Sequence, residues 1–392
     1  MKCDFKRCFR RSLVSAVLFV VGVSFVPYLW CSRGADAWYR GDVGVQGELA
    51  RGVEGWVTRG LDRNSFHTGA RQFDGEWLFG TYLMSGLGFV QMAKEHPESR
   101  GEYMRLARLC VEKMLSADVR AFDREMWGND PIDSLDTERD HAAFLGYFNL
   151  LLGLCRELDP QGTTAALNDR ITDALVRRIE RSPIRLLESY PNEVYPVDNC
   201  AVIASIAVQA RVTGVDRRAF LDGFHGVLRS KCIDPRSGLL IQALIPRTGE
   251  PADAPRGSGT SLGLYFLSFS DKALSAELYR ASRRELAGTV FGFGGIKEYP
   301  VHLRNEGGDI DSGPVVFGYG LSPTGFLIGG SRIHRDKDLF SRLYATAYAM
   351  GAPYRHDGRM NFVTGASLGD AILFAMLTAG GVPDREGKKV GP

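Results

Sequence analysis

The densest group of reactive side chains is Glu306, Asp309 and Asp311, three carboxylates among glycines in the run 304–326, RNEGGDIDSGPVVFGYGLSPTGF. Carboxylates in close company can pass protons to and from a substrate or hold its hydroxyls. An uncharged apolar segment follows, so the spacing predicts a buried helix over 312–332, with Ser312 or Asp311 as N-cap and Pro314 in the first turn. The acids then sit at the positive end of the helix. One aspartate would serve as a cap, but three exceed what capping needs. Asp198, in the run YPVDNC ahead of another apolar stretch, is the expected partner of Asp311, and Asp309 is the next candidate. Two acids held by rigid, apolar surroundings have their pKa values displaced, which acid–base chemistry requires.

These residues need a frame. The chain alternates amphipathic helical segments, near 44–60, 101–117, 163–181, 216–230, 272–287 and 337–351, with segments that are apolar nearly all round and rich in glycine. The latter lie near 77–93, 141–155, 198–213, 259–270, 312–332 and 366–379. A helix apolar on every side is buried, and an amphipathic one covers it. Outer then inner, six times over, predicts an all-α fold, an (α/α)₆ barrel of two concentric rings forming one domain. The run 235–248 is read as a short hairpin near the rim.

All inner helices of such a barrel run the same way, so the loops entering them gather at one end. Those loops hold Asp74 and Glu76; Asp130, Asp133 and Asp136; Glu193, Tyr195 and Asp198; Arg256 and Ser258; Glu306, Asp309 and Asp311; and Arg355, His356 and Asp357. Trp77, Tyr147, Tyr195 and Tyr319 offer flat faces for a sugar ring. Glu306, Asp130 and Glu193 are expected to bind substrate, and Arg256 and Arg304 to bind an acidic group or pair with the local acids.

From Gly128-Asn129-Asp130-Pro131-Ile132 through the helix containing 146–154 (GYFNLLLGL), the chain resembles the linalool dehydratase/isomerase family. The likeness continues in order through Asp198-Asn199-Cys200, the run 233–238 (IDPRSG) and Gly307-Gly308-Asp309. It implies an (α/α)₆ barrel with its site in the central cavity. That family works with a histidine, an aspartate and two cysteines. Here the histidine pairs with Tyr147, one cysteine with Asp198, and the other falls near Ser189, so the catalytic set is not retained.

A formal net charge of +2 and ordinary globular composition exclude a nucleic-acid surface. Lys2, Lys6, Arg7, Arg10 and Arg11 precede an uncharged run over 12–32, which reads as an export signal or a membrane anchor, with Ala35-Asp36-Ala37 as a cleavage site. The expected division is a signal or anchor over 1–37, a barrel over 38–385 and a disordered tail over 386–392. The body lies outside the cytoplasm, periplasmic or held to the membrane if the segment is uncleaved. Cys110, Cys155, Cys200 and Cys232 stand in apolar surroundings without C-x-x-C spacing and read as buried free thiols. No cofactor and no metal is expected: the D-x-D of Asp309 and Asp311 lacks the rest of a calcium loop, and His67, His141, His302 and His356 lack paired spacing. No phosphate loop, dinucleotide fingerprint or G-x-S-x-G elbow occurs. The sequence thus points to a glycoside hydrolase or related carbohydrate-active enzyme using two acids on a glycan. The alternatives are a cofactor-independent dehydratase/isomerase on a small alcohol and a non-catalytic ligand-binding protein.

Overall fold

The computed structural model describes residues 5–303 and 307–380. Arg304, Glu306 and the tail over 386–392 lie outside the described residues. The chain begins with α1 (Phe5–Ser32) and a short α2 (Ala35–Tyr39). Six outer–inner pairs follow: α3 (Val43–Arg59) and α4 (Arg71–Glu95); α5 (Arg100–Met114), with a short α6 (Ala121–Trp127) before α7 (Ala142–Leu158); α8 (Ala165–Arg181) and α9 (Pro196–Thr213); α10 (Arg218–Val227) and α11 (Gly257–Leu267). After α12 (Lys272–Glu285) come β1 (Ala287–Val290), β2 (Phe293–Lys297), β3 (Val315–Val316) and β4 (Tyr319–Gly320), which lead into α13 (Leu321–Ile333). The last pair is α14 (Lys337–Gly351) and, after the hairpin β5 (Pro353–His356) and β6 (Arg359–Phe362), α15 (Ala366–Leu377).

The inner helices touch in the cyclic order α4, α7, α9, α11, α13, α15 and back to α4, so the ring is closed. Glycine explains how six helices come so close. At each junction a glycine of one helix faces a side chain of the next: Gly86 with Leu151, Gly146 with Val202, Gly263 with Cys200, Gly330 with Leu264, Gly329 with Met376, and Gly88 with Phe374. A Cβ on Gly146 would lie 2.7 Å from Val202 Cγ2, closer than real Cβ contacts allow. The all-round apolar composition is therefore the mark of helices packed on both flanks and backed by the outer ring. The expected architecture stands, and the described cysteines, Cys110, Cys155, Cys200 and Cys232 among them, are free and buried.

Three local expectations are corrected. The helix expected to open at Asp311 or Ser312 opens at Leu321, with Gly320 before it. Gly313 has φ +62, and the Ser312 hydroxyl donates to carbonyls of its own loop rather than capping. The intervening residues instead form two short strands in a sheet of order β1-β2-β4-β3, which the alternation of helices left no place for. None of its strands exceeds five residues, and it closes the loop between α12 and α13 rather than founding a second core. The run 235–248 is not a regular hairpin: isolated bridges tie Ile233 to Leu240, Ile241 to Pro255 and Leu244 to both Val194 and Pro251.

Candidate active site

Asp198 lies in the first turn of α9, which Pro196 opens. Its side chain is buried, and its Oδ1 accepts a 2.5 Å hydrogen bond from the hydroxyl of Tyr147, on the second turn of α7. The Ser189 side chain stands near enough to favour its ionised form as well. Burial pushes the carboxyl up to about 6; Ser189 and Tyr147 oppose that rise and the charge of Asp311 adds to it. Ser189 is itself fixed, since its hydroxyl accepts from the Tyr195 N–H and its carbonyl from Trp127 Nε1.

Glu76 projects from the second turn of α4. Its Oε1 accepts from the Tyr190 hydroxyl at 2.6 Å and from Gln72 Nε2 at 3.1 Å. Burial outweighs both donors and lifts its carboxyl to about 7, with the charges of Asp311 and Asp198 adding to the rise. Asp311, in the loop before α13, accepts from Gln242 Nε2 at 3.2 Å. Burial raises its carboxyl as well, and Asp309 adds to that while Arg256 opposes it. Three carboxyl groups from α4, α9 and the loop entering α13 thus lie in one another's field. Among the described residues, no three His, Cys, Asp or Glu side chains are grouped to hold a metal ion.

Asp309 is held differently. Its Oδ1 accepts the N–H groups of Asp311 (3.1 Å) and Ser312 (3.0 Å), and its Oδ2 pairs with Arg256. Burial raises its pKa, but the Ser312 N–H and the Arg256 guanidinium outweigh it and hold the carboxyl below the ordinary range. It therefore shapes the loop that presents Asp311. Arg256 also binds Asp253 at 2.6 Å and lies 5.5 Å from the centre of the Tyr299 ring, so it is engaged rather than waiting for an acidic ligand. Behind it Glu298 is buried and accepts from the Ser258 hydroxyl at 2.6 Å and the Ser258 N–H at 3.2 Å, and burial lifts its carboxyl to about 7.

Of the other expected contacts, Trp77 follows Glu76 on α4 and meets Phe66 edge-on, with part of its surface open. Tyr195 stands half-buried, donates to Glu193 at 2.8 Å and feels the charges of Asp198 and Asp311, which brings both residues to the rim of the site. Asp130 does not join them: it binds Arg120 at 2.7 Å and the Ile132 N–H at 2.9 Å, tying down its own loop. Asp133 and Asp136 face solvent, and Asp74 caps Thr68. Arg355 reaches outward to Glu48 of α3, and His356 pairs with exposed Asp357. Tyr319 packs over Gly288 and Gly295 of the sheet.

A second constellation has the form of a catalytic triad without its accessibility. His141 Nδ1 is 2.5 Å from Asp123 Oδ2, and its Nε2 is 3.0 Å from Ser134 Oγ. All three side chains are buried, and the Ser134 hydroxyl donates to the Asp130 carbonyl at 2.6 Å. The Arg178 guanidinium donates to the carbonyls of Ser134, Leu135, Thr137 and Asp140, so this network fastens a loop.

In the sequence Glu76 stands at an entrance without being singled out, Ser189 is marked only by the family resemblance, and Tyr190, Gln242 and Glu298 are not marked at all. Glu76 had a signal: an acid in the second turn of a helix otherwise apolar all round. Tyr190, Gln242 and Glu298 lie in irregular segments that no periodicity marks.

No protein-family model matches the chain. Among solved structures it is similar to an inactive variant of the α-1,6-mannanase GH76A of Salegentibacter sp. HEL1_6, in which two adjacent aspartates are replaced by alanine and α-1,6-mannotetrose is bound. The TM-score is 0.51 at 12% identity, over 85% of this chain and 98% of that one. It is also similar to the unsaturated glucuronyl hydrolase of Bacillus sp. GL1, with a TM-score of 0.50 at 12% identity over 90% of this chain and 100% of that one. A heparin-specific unsaturated glucuronyl hydrolase gives 0.50 at 10% identity, over 87% and 96%. At such identities the likeness speaks for the fold, and that fold is the helical barrel described above.

Proposed function

We propose that the chain is a glycoside hydrolase whose acid and base come from Glu76, Asp198 and Asp311. The observation that carries this is the convergence of three carboxyls from separate elements, Asp198 buried, Glu76 half-buried and Asp311 at the exposed edge, each raised by desolvation and in the field of another, at the end of the barrel where the inner helices begin. Cleaving a glycosidic bond takes one carboxyl that holds its proton and one that has lost it. Glu76, lifted to about 7, retains its proton near neutrality and suits the acid. Asp198, supported by Tyr147 and Ser189, suits the ionised partner, and Asp311, whose charge acts on both, completes the set. Trp77 and Tyr195 supply ring faces. Arg256, the cation that acts on Asp311, is already engaged by two acids, so a neutral glycan fits better than a uronic acid. The similar mannanase bound a mannose oligomer, which makes α-1,6-mannooligosaccharides the first substrates to test. This chain has no two adjacent aspartates, so the carboxyls here are differently disposed from the pair replaced in that enzyme.

The test is a panel of neutral and uronic oligosaccharides with the wild type, Asp198→Asn and Asp311→Asn. Either substitution keeps the shape and removes the titrating group, so turnover should fall by at least ~10²-fold with the fold intact. Unchanged turnover in both variants would sink the proposal.

One observation favours a second reading. Tyr147, Ser189 and Asp198, the positions that pair with or fall near catalytic residues of linalool dehydratase/isomerase, come together: Tyr147 donates to Asp198, and Ser189 favours its ionised form. Conversion of a small tertiary alcohol, lost in Asp198→Asn, with no glycan cleaved would favour that class.

The basic residues in the first turns of α1, Lys6, Arg7, Arg10 and Arg11, orient the body away from the cytoplasm. A C-terminal reporter active only in the cytoplasm would contradict this.

A further inference from the structure

We infer that α1 is a retained membrane anchor and that the β1–β2 hairpin beside it dips into the lipid surface, so that the barrel rests on the bilayer. The inference holds whichever reaction the cavity performs. α1 is, among the described residues, the one helix long and apolar enough to cross a membrane, and its side chains from Phe9 to Trp30 are largely exposed. Its last turns, however, are built into the body. The helix packs on α14, and Cys31 is buried. Beyond it Ala35 and Trp38 of α2 are buried too, and Asp36 pairs with Lys337 at 2.6 Å. Cleavage after Ala37 would remove Cys31, Ala35 and the Asp36–Lys337 pair and bare the surface of α14 that α1 covers. The segment is part of the fold rather than a leader appended to it.

The hairpin supplies the second part. Tyr28 meets Phe293 edge-on at 5.7 Å, and Phe25 meets Phe291 at 6.4 Å. Phe25 lies about two turns inside the end of α1, so the hairpin tip reaches alongside the apolar helix rather than stopping at its polar end. The tip is apolar and open: Val290 is 50% and Phe291 57% exposed. The turn of Phe291 (φ +49) and Gly292 (φ +91) needs two left-handed residues, a place where asparagine or aspartate would ordinarily precede glycine. Trp30, exposed and capped by the Arg33 guanidinium 3.5 Å from its ring centre, has the character of a residue at the membrane–water boundary. With Trp30 at that boundary, Val290 and Phe291 fall on its lipid side.

A matched control exists in the same sheet. The β3–β4 turn, Phe317-Gly318, repeats the same chemistry with Phe317 93% exposed, but β2 and β4 are antiparallel and this turn lies at the opposite end of β2 from Phe291. The experiment places a photoreactive phenylalanine analogue at position 291 or 317 of the full chain, reconstituted in phosphatidylcholine–phosphatidylglycerol vesicles, and reads cross-links to lipid and intact mass. Cross-linking from 291 well above that from 317, in a chain that still contains α1, is the expected result. No lipid adduct at 291, equal adducts at both positions, or a membrane-bound chain that begins after Ala37 would each overturn the inference.

Discussion

The loop entering α7 and the segments around the starts of α4, α9 and α13 are all rich in carboxyl groups, yet they hold them in different company. At the α7 entrance Asp123 faces His141, Asp130 faces Arg120, and the buried Arg178 draws the surrounding carbonyls together. At the other three, Glu76, Asp198 and Asp311 meet phenol, hydroxyl and amide donors, and one another. Carboxyls tied to His141 or Arg120, in a loop drawn together by Arg178, serve as fasteners. Carboxyls whose hydrogen-bond donors are neutral are raised instead, Glu76 to about 7 and Asp198 to about 6, and that availability, rather than the number of acids, separates the two regions.

The contrast can be broken most severely at the fastener. Asp123→Ala leaves His141 without its partner in the interior and should cost about 3–5 kcal/mol in denaturant unfolding, while the molecules that fold retain their turnover. A large loss of rate at unchanged stability would mean that the triad-like network is chemical after all. Glu76→Gln should do the reverse, lowering turnover by at least ~10²-fold. It should also change the pH dependence of stability. In the folded chain Glu76 keeps its proton up to about 7, against an ordinary value of 4.5, so between those values the native state binds more protons than the unfolded one. Wild-type stability therefore falls as pH rises through that window, and the glutamine variant gains on it from pH 4.5 to 7. Thermal unfolding at several pH values that shows a constant gap would contradict the assignment.

Gly146→Ala joins the two regions, because Gly146 presses α7 onto α9 next to Tyr147. The added methyl should cost about 1–3 kcal/mol through overpacking, exceeding the gain of up to ~1 kcal/mol from helix propensity. It should also lower turnover by shifting the Tyr147 hydroxyl from Asp198. A variant that is destabilised but fully active would show that this hydrogen bond is not needed. The smallest effect is expected for Asp133→Asn at the exposed edge of the fastener loop, where stability should stay within about ±0.5 kcal/mol and turnover should not change.

The ring of helices was legible because burial on all flanks leaves an unmistakable composition, apolar and glycine-rich where amphipathic helices are not. Asp198 was legible for a similar reason: Pro196 and the apolar run after it mark a helix start, and a carboxyl in a first turn has a defined direction. Asp311 was recognised as an acid of interest, but its local structure was misread. Capping signals at Ser312 and Pro314 were given more weight than Gly313, whose left-handed backbone stops the helix from forming there. The strands around it escaped notice because pairs of two residues carry no period. Tyr190 and Gln242 reach the site from loops whose course depends on tertiary contacts, and no local pattern announces them.

The glycines at the inner-ring junctions also bear on how such a site changes over time. A hoop closed by backbone-to-side-chain contact leaves little slack: an added carbon at Gly146 meets the Val202 backbone, and at Gly86, Gly88, Gly329 or Gly330 a neighbouring side chain must move. Room for change lies away from the junction glycines, in the segments over 183–195, 233–256 and 298–320, which carry Ser189, Gln242 and Asp311. A library built by grafting those three segments onto this hoop, with the junction glycines untouched, samples new substrates at the least risk to folding.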